Sequence, residues 1–109
     1  MGARMKMKQR SPAEREALLL ELLDQMLRDE ISAGSLLRKL RREVLGMSQT
    51  QFASLVSVSR RTLSDIETDK GSQSLALLNR VFRPFGLKVG LLPRHSQLMQ
   101  QLMEKQMKA

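Results

Sequence analysis

The stretch from Ser48 to Glu67, SQTQFASLVSVSRRTLSDIE, constrains this chain more than any other. Its pattern predicts two short helices joined by a tight turn. Ser48 can cap the first helix, with Gln51 closing a reciprocal capping box, while Phe52, Ala53 and Val56 supply its inward face. Val58 breaks the helical period. Ser59 can then cap a second helix, whose apolar Leu63 and Ile66 leave Arg60, Arg61, Thr62 and Asp65 on another side. Ala53 is small where two helices have to cross closely, which suits the sharp angle of a helix-turn-helix unit. Capped amphipathic pairs are common, so this pattern alone does not imply a ligand.

The distribution of charge adds a direction. The formal net charge is +8, but residues 1–32 carry six basic and six acidic side chains, whereas residues 33–94 carry eleven basic against four acidic. Nearly all the excess thus lies around the helix pair, as binding to a polyphosphate requires. An acidic membrane surface would attract the same charge. The helix pair favours nucleic acid, because it offers a short, polar, basic face.

Gln49 opening the first helix, Ala53 at its close contact, Val58 after the turn, and Leu63 with Ile66 in the second helix together resemble the Cro and lambda-repressor type of helix-turn-helix, the Xre family. The resemblance runs from about Ser35 to Gly86. It implies an all-α, lambda-repressor-like bundle that binds duplex DNA, with Gln49 and Lys70 on phosphates and Ser59, Arg60, Arg61, Thr62 and Asp65 presented to the major groove. It also implies a structural ion pair between Arg42 and Glu67, tying the preceding helix to the end of the recognition helix. One residue departs from the pattern. The family prefers glycine in the turn where this chain has Ser57, so the turn must be strained or reshaped.

The rest of the chain divides around this unit. Residues 1–32 read as a basic arm followed by an amphipathic helix from Pro12 to about Ser32, with Leu19, Leu22, Leu23, Met26 and Leu27 as its stripe. The arm reads as a frayed terminus in preference to a groove-binding element. The helix suits either covering its own core or pairing with a second chain. Ala33-Gly34-Ser35 reads as a break, and Leu36, Leu37, Leu40 and Val44 as the inward face of a helix ending at Gly46. Residues 33–86 form the expected DNA-binding domain, closed by a helix from Ser74 with Leu75, Leu78, Phe82 and Phe85 as core. In residues 87–109, Leu87, Val89 and Leu91 alternate with Lys88 and Gly90. That is a strand signal, and a lone strand would be completed by its copy in a two-fold mate or would lie on its own helices. The tail from His95 is weakly helical and rich in methionine.

Several chemistries are excluded. Cysteine is absent, so there are no disulfides, thiolate metal sites or thiol nucleophiles, in keeping with a reducing compartment. Apolar runs such as Leu18–Leu20, interrupted at Glu21, are too short for a membrane span or signal core. Met1-Gly2 lacks the Ser or Thr of a myristoylation signal, since Lys6 stands there. The lone His95 has no identified base, nucleophile or metal partner, and no cofactor is expected. The only aromatics, Phe52, Phe82 and Phe85, fall at core positions, which disfavours stacking on single-stranded RNA. The expectation is a non-enzymatic, homodimeric transcriptional regulator, more readily a repressor, acting in the cytoplasm at the nucleoid. The alternative is an antitoxin that binds a toxin protein and represses its own operon: the order of helix-turn-helix, helix and strand is similar to the antitoxins of high-persistence kinase toxins, although the 32-residue leading segment is extra.

Overall fold

A computed structural model describes residues 10–108. The expectations for the basic arm and for Met1-Gly2 lie outside these residues. Six α-helices are found among the described residues: α1 (Pro12–Leu27), α2 (Ala33–Lys39), α3 (Gln49–Leu55), α4 (Arg60–Glu67), α5 (Leu75–Phe82) and α6 (Ser96–Lys108). A π-helical turn, Leu40–Val44, extends α2, and a 3₁₀ turn, Arg83–Phe85, extends α5.

Serine starts each of the first five helices. Ser11, Ser32, Ser48, Ser59 and Ser74 each accept a hydrogen bond from the backbone N–H three residues on, satisfying a donor that a helix otherwise leaves open. Glu14 and Gln51 complete reciprocal boxes with Ser11 and Ser48. In the first box the Ser11 N–H lies 2.7 Å from Glu14 Oε1. That bond, helped by the Ser11 hydroxyl, holds the Glu14 carboxyl below the ordinary glutamate range.

The core gathers one face from each of α1 to α5. Leu22 comes from α1, Leu36, Leu37 and Leu40 from α2 and its π turn, and Phe52 and Ala53 from α3, with Val56 at its end. Leu63 and Ile66 come from α4, and Val81, Phe82 and Phe85 close the far side. The rings of Phe52 and Phe85 stack with centroids 5.7 Å apart, joining the first helix of the pair to the closing element.

Several local expectations are corrected. Leu27 and Leu75, expected to face inward, are exposed at the last position of α1 and the first of α5. The leading helix ends at Leu27 rather than near Ser32, because Asp29 takes φ +60° and the Glu30 N–H returns to the Gln25 carbonyl. Ala33-Gly34-Ser35 is not a break but the first turn of α2, where glycine permits a close approach: a Cβ on Gly34 would collide with the Ile66 carbonyl and come within 2.6 Å of Asp69 Oδ1. Finally, residues 87–92 have no regular secondary structure, and no strand forms among the described residues. A single chain offers this segment no second strand, and the Val89 N–H donates instead to the Asn79 side chain at 2.8 Å. Only Leu87 of its alternating residues packs against the core. The fold is therefore an all-α helix-turn-helix bundle with an extra leading helix, and without the expected C-terminal strand.

Candidate nucleic-acid interface

α4 divides cleanly by face. Leu63, Ile66 and Glu67 point inward and are buried, whereas Arg60 and Arg61 are exposed and Ser64 and Asp65 are half-buried beside them. At 100° per residue these four share one arc of the helix. The inward face is fixed by more than apolar contact. Arg41 donates from Nε to Glu67 Oε2 at 2.7 Å and from Nη2 to Glu67 Oε1 at 2.9 Å, a two-pronged buried pair. Its Nη1 donates to the Met47 carbonyl at 2.8 Å, and Gln49 Nε2 adds a bond to Glu67 Oε1 at 3.0 Å. Among the described residues no buried side-chain nitrogen or oxygen lacks a partner. This network locks the end of α4 to the π turn and to the first residue of α3.

The partner of Glu67 is thus Arg41, not the expected Arg42. The reason is helical geometry: Arg41 follows the fully buried Leu37 by one turn and is carried inward with it, whereas Arg42, one position on, faces solvent. The π turn contributes, since its wider repeat places the Leu45 N–H on the Leu40 carbonyl and leads the chain back so that Met47 can receive Arg41. A charge-rich run hides such a residue. Its position four after the inward-facing Leu37 is the signal that singles it out from its neighbours.

The turn between α3 and α4 has the hydrogen bonds of a Schellman motif. The Val58 N–H donates to the Ala53 carbonyl at 3.0 Å and the Ser57 N–H to the Ser54 carbonyl at 3.3 Å. Ser57 takes φ +58°, the left-handed conformation usually left to glycine. The expected strain is therefore accepted rather than avoided. The far end of α4 repeats the motif, with the Lys70 N–H on the Asp65 carbonyl at 2.8 Å and Asp69 at φ +57°. Here the side chain is used. Asp69 Oδ2 accepts from Ser32 Oγ at 2.6 Å and Oδ1 from the Gly34 N–H at 3.0 Å, binding the start of α2 to the end of α4.

The remaining expected site residues fall into distinct environments. Ser59 and Thr62 are bonded to each other, Oγ to Oγ1 at 2.9 Å, while Ser59 Oγ also accepts from the Thr62 N–H. Both hydroxyls therefore serve the start of the helix. Gln49 is half-buried and bonded to Glu67, so its amide also has a structural duty. Lys70 is exposed on the loop after α4, with Gly71 next to it at φ +71°. Among the described residues Arg60, Arg61 and Lys70 take no part in a salt bridge. Ser64, between the two arginines on the arc, was missed because a serine inside an amphipathic helix has no distinctive spacing.

No helix of the described residues is long and apolar enough to cross a membrane. No group of metal-ligating side chains occurs among them either. The sequence matches the helix-turn-helix family over residues 37–92, just over half of the chain. No curated protein and no solved structure gives a match. The matched region includes α3, its turn, α4 and α5, and the family is one of DNA-binding regulators rather than catalysts. With two capped helices, a left-handed turn and an arginine-bearing face locked from behind, the chain belongs to the Xre and lambda-repressor type of helix-turn-helix DNA-binding transcription regulators.

Proposed function

We propose that this protein is a sequence-specific repressor that reads the DNA major groove with the exposed arc of α4. The observation that carries this reading is the pairing of a rigid rear face with two exposed arginines in front. A helix held by the Arg41–Glu67 pair can present Arg60 and Arg61 with little freedom to misplace them. Arginine can donate two hydrogen bonds to guanine, so a G-containing half-site follows, with one of the two free to bind phosphate instead. Asp65 and Ser64 would discriminate at neighbouring positions. Ser59 and Thr62, occupied in capping, would act at the entry of the helix into the groove. Gln49 and Lys70 flank the pair and would hold phosphates, setting register without reading sequence. The domain that binds is residues 33–86, with the flanking segments as appendages.

One such unit reads only a few base pairs, so the working form is a two-fold homodimer on an inverted repeat, its recognition helices about 34 Å apart. The resemblance to kinase-toxin antitoxins drew on a strand that the described residues do not form, and the regulator reading is preferred on that ground. Selection of bound DNA from a random pool tests it. Enrichment of an inverted repeat with half-site centres roughly one helical turn apart is expected. Binding that is equally tight to all sequences would reduce the protein to a basic scaffold.

A further inference from the structure

Two apolar faces remain uncovered among the described residues, one near each end of the chain. On α1, opposite Leu22, the residues Ala13, Ala17, Leu20 and Leu27 are all exposed, Leu20 to 61%. They are spaced four, three and seven residues apart, with Asp24 filling the gap, which is the repeat that lets one helix lie along another. On α6, Leu98, Leu102 and Met103 are exposed on one arc, and no residue of this helix is buried. The radius of gyration, 15.6 Å, exceeds the value of about 13 Å for a compact chain of this length, as a projecting helix requires. A 13-residue helix is marginal in water without a partner.

We propose that α6 packs along the outward face of α1 of a second copy, and that the reverse contact forms at the same time, giving a reciprocal two-fold dimer. Charge selects this occupant. α1 carries four acidic residues and one basic, with Glu16 and Glu21 on either side of its apolar stripe. α6 carries two lysines and one glutamate, and Lys105 borders its apolar arc. Pairing α1 with α1 would bring the Glu16 and Glu21 rims together, and pairing α6 with α6 would leave the α1 stripe in water. The exchange covers both faces with one symmetry operation. Alanine at two stripe positions leaves room for leucine and methionine side chains to enter. The segment 87–93, with neither helix nor strand, can span at most about 25 Å between the core and α6. This proposal rests on the two-fold reading above and adds the surfaces that make it.

The absence of cysteine makes the contact directly testable. Leu20→Cys and Leu102→Cys are both at exposed sites, so neither disturbs the core. Mixed under mild oxidation, the two variants are expected to form a covalent heterodimer several times faster than either forms a homodimer alone. Predominant Leu102→Cys homodimers would overturn the exchange in favour of α6 pairing with itself. The double variant Leu20→Cys/Leu102→Cys should yield a covalent dimer, and an intrachain link would show that α6 covers its own α1. Sedimentation of the unmodified protein supplies the independent measurement: a dimer is expected, weakened by Lys105→Glu and restored when Glu21→Lys is added. A monomer, or no response to these charges, contradicts the proposal. If the unmodified protein dimerises on an inverted repeat while the mixed disulfide fails to form, the proposal falls and the two-fold reading stands.

Discussion

The two ends of α4 use the same backbone turn and support it in opposite ways. Before the helix, Ser57 holds φ +58° and only its carbonyl is engaged beyond the turn, by Arg80 Nη1 at 3.4 Å. After the helix, Asp69 holds φ +57° and its carboxylate accepts two bonds from the start of α2. Beside it, Glu67 closes the buried network with Arg41 and Gln49. The first turn carries its strain with little return, whereas the second converts the same conformation into a tie between distant parts of the chain. The contrast locates the long-range ties of α4 at its end, made by residues remote in sequence, while its beginning is held by the local cap of Ser59.

Substitutions at each end can break or sharpen this contrast. The largest effect is expected from Glu67→Ala, which strands a buried guanidinium and should cost about 3–5 kcal/mol in denaturant unfolding. Arg41→Ala should be comparable, and a double-mutant cycle should show strong coupling; Arg42→Ala at the exposed neighbour should leave stability nearly unchanged. Next comes Gly34→Ala, whose added methyl meets backbone that cannot yield easily, with an expected loss of about 1–3 kcal/mol by thermal melting.

Glycine substitution at the two turn residues then separates them by sign. Asp69→Gly relieves backbone strain but leaves the Gly34 N–H and Ser32 without their acceptor, so a net loss of about 1–2 kcal/mol is expected. Ser57→Gly removes strain and little else, and should raise stability by about 0.5–1 kcal/mol. A stabilising Asp69→Gly, or a destabilising Ser57→Gly, in the same unfolding assay would remove the distinction between the two ends.

What was legible in the sequence follows the range of the interactions. Caps are read within four residues, so Ser48, Ser59 and Ser74 were identifiable as helix starts, as was the strained turn at Ser57. The inward residues of α3 and α4 followed from helical periodicity. Long-range partnerships were less accessible. The role of Gly34 depends on Ile66 and Asp69, more than thirty residues away, and nothing near Gly34 announces it. The choice between Arg41 and Arg42 turned on a rotation of one residue in a helix crowded with cations. The alternation at Leu87, Val89 and Leu91 resembles a strand, but a strand needs a neighbour, and Asn79 supplies the hydrogen bond from a helix instead. Of the candidate interface, the exposure of Arg60 and Arg61 was legible; the duties of Gln49 and Thr62 inside the fold were not, because both depend on tertiary or side-chain geometry.

The central claim, that the front of α4 reads bases while the flanking residues hold the backbone, is tested most directly by titrating Arg60→Ala, Arg61→Ala and Lys70→Ala against a selected operator and single-base variants of it. The arginine that contacts guanine should lose about 1–3 kcal/mol of discrimination at one position, with the fold unchanged by circular dichroism. Lys70→Ala should weaken all sequences alike and lower the salt dependence of binding by about one ion. If Lys70→Ala changes base preference while both arginine variants leave it intact, α4 does not read the groove in the way described.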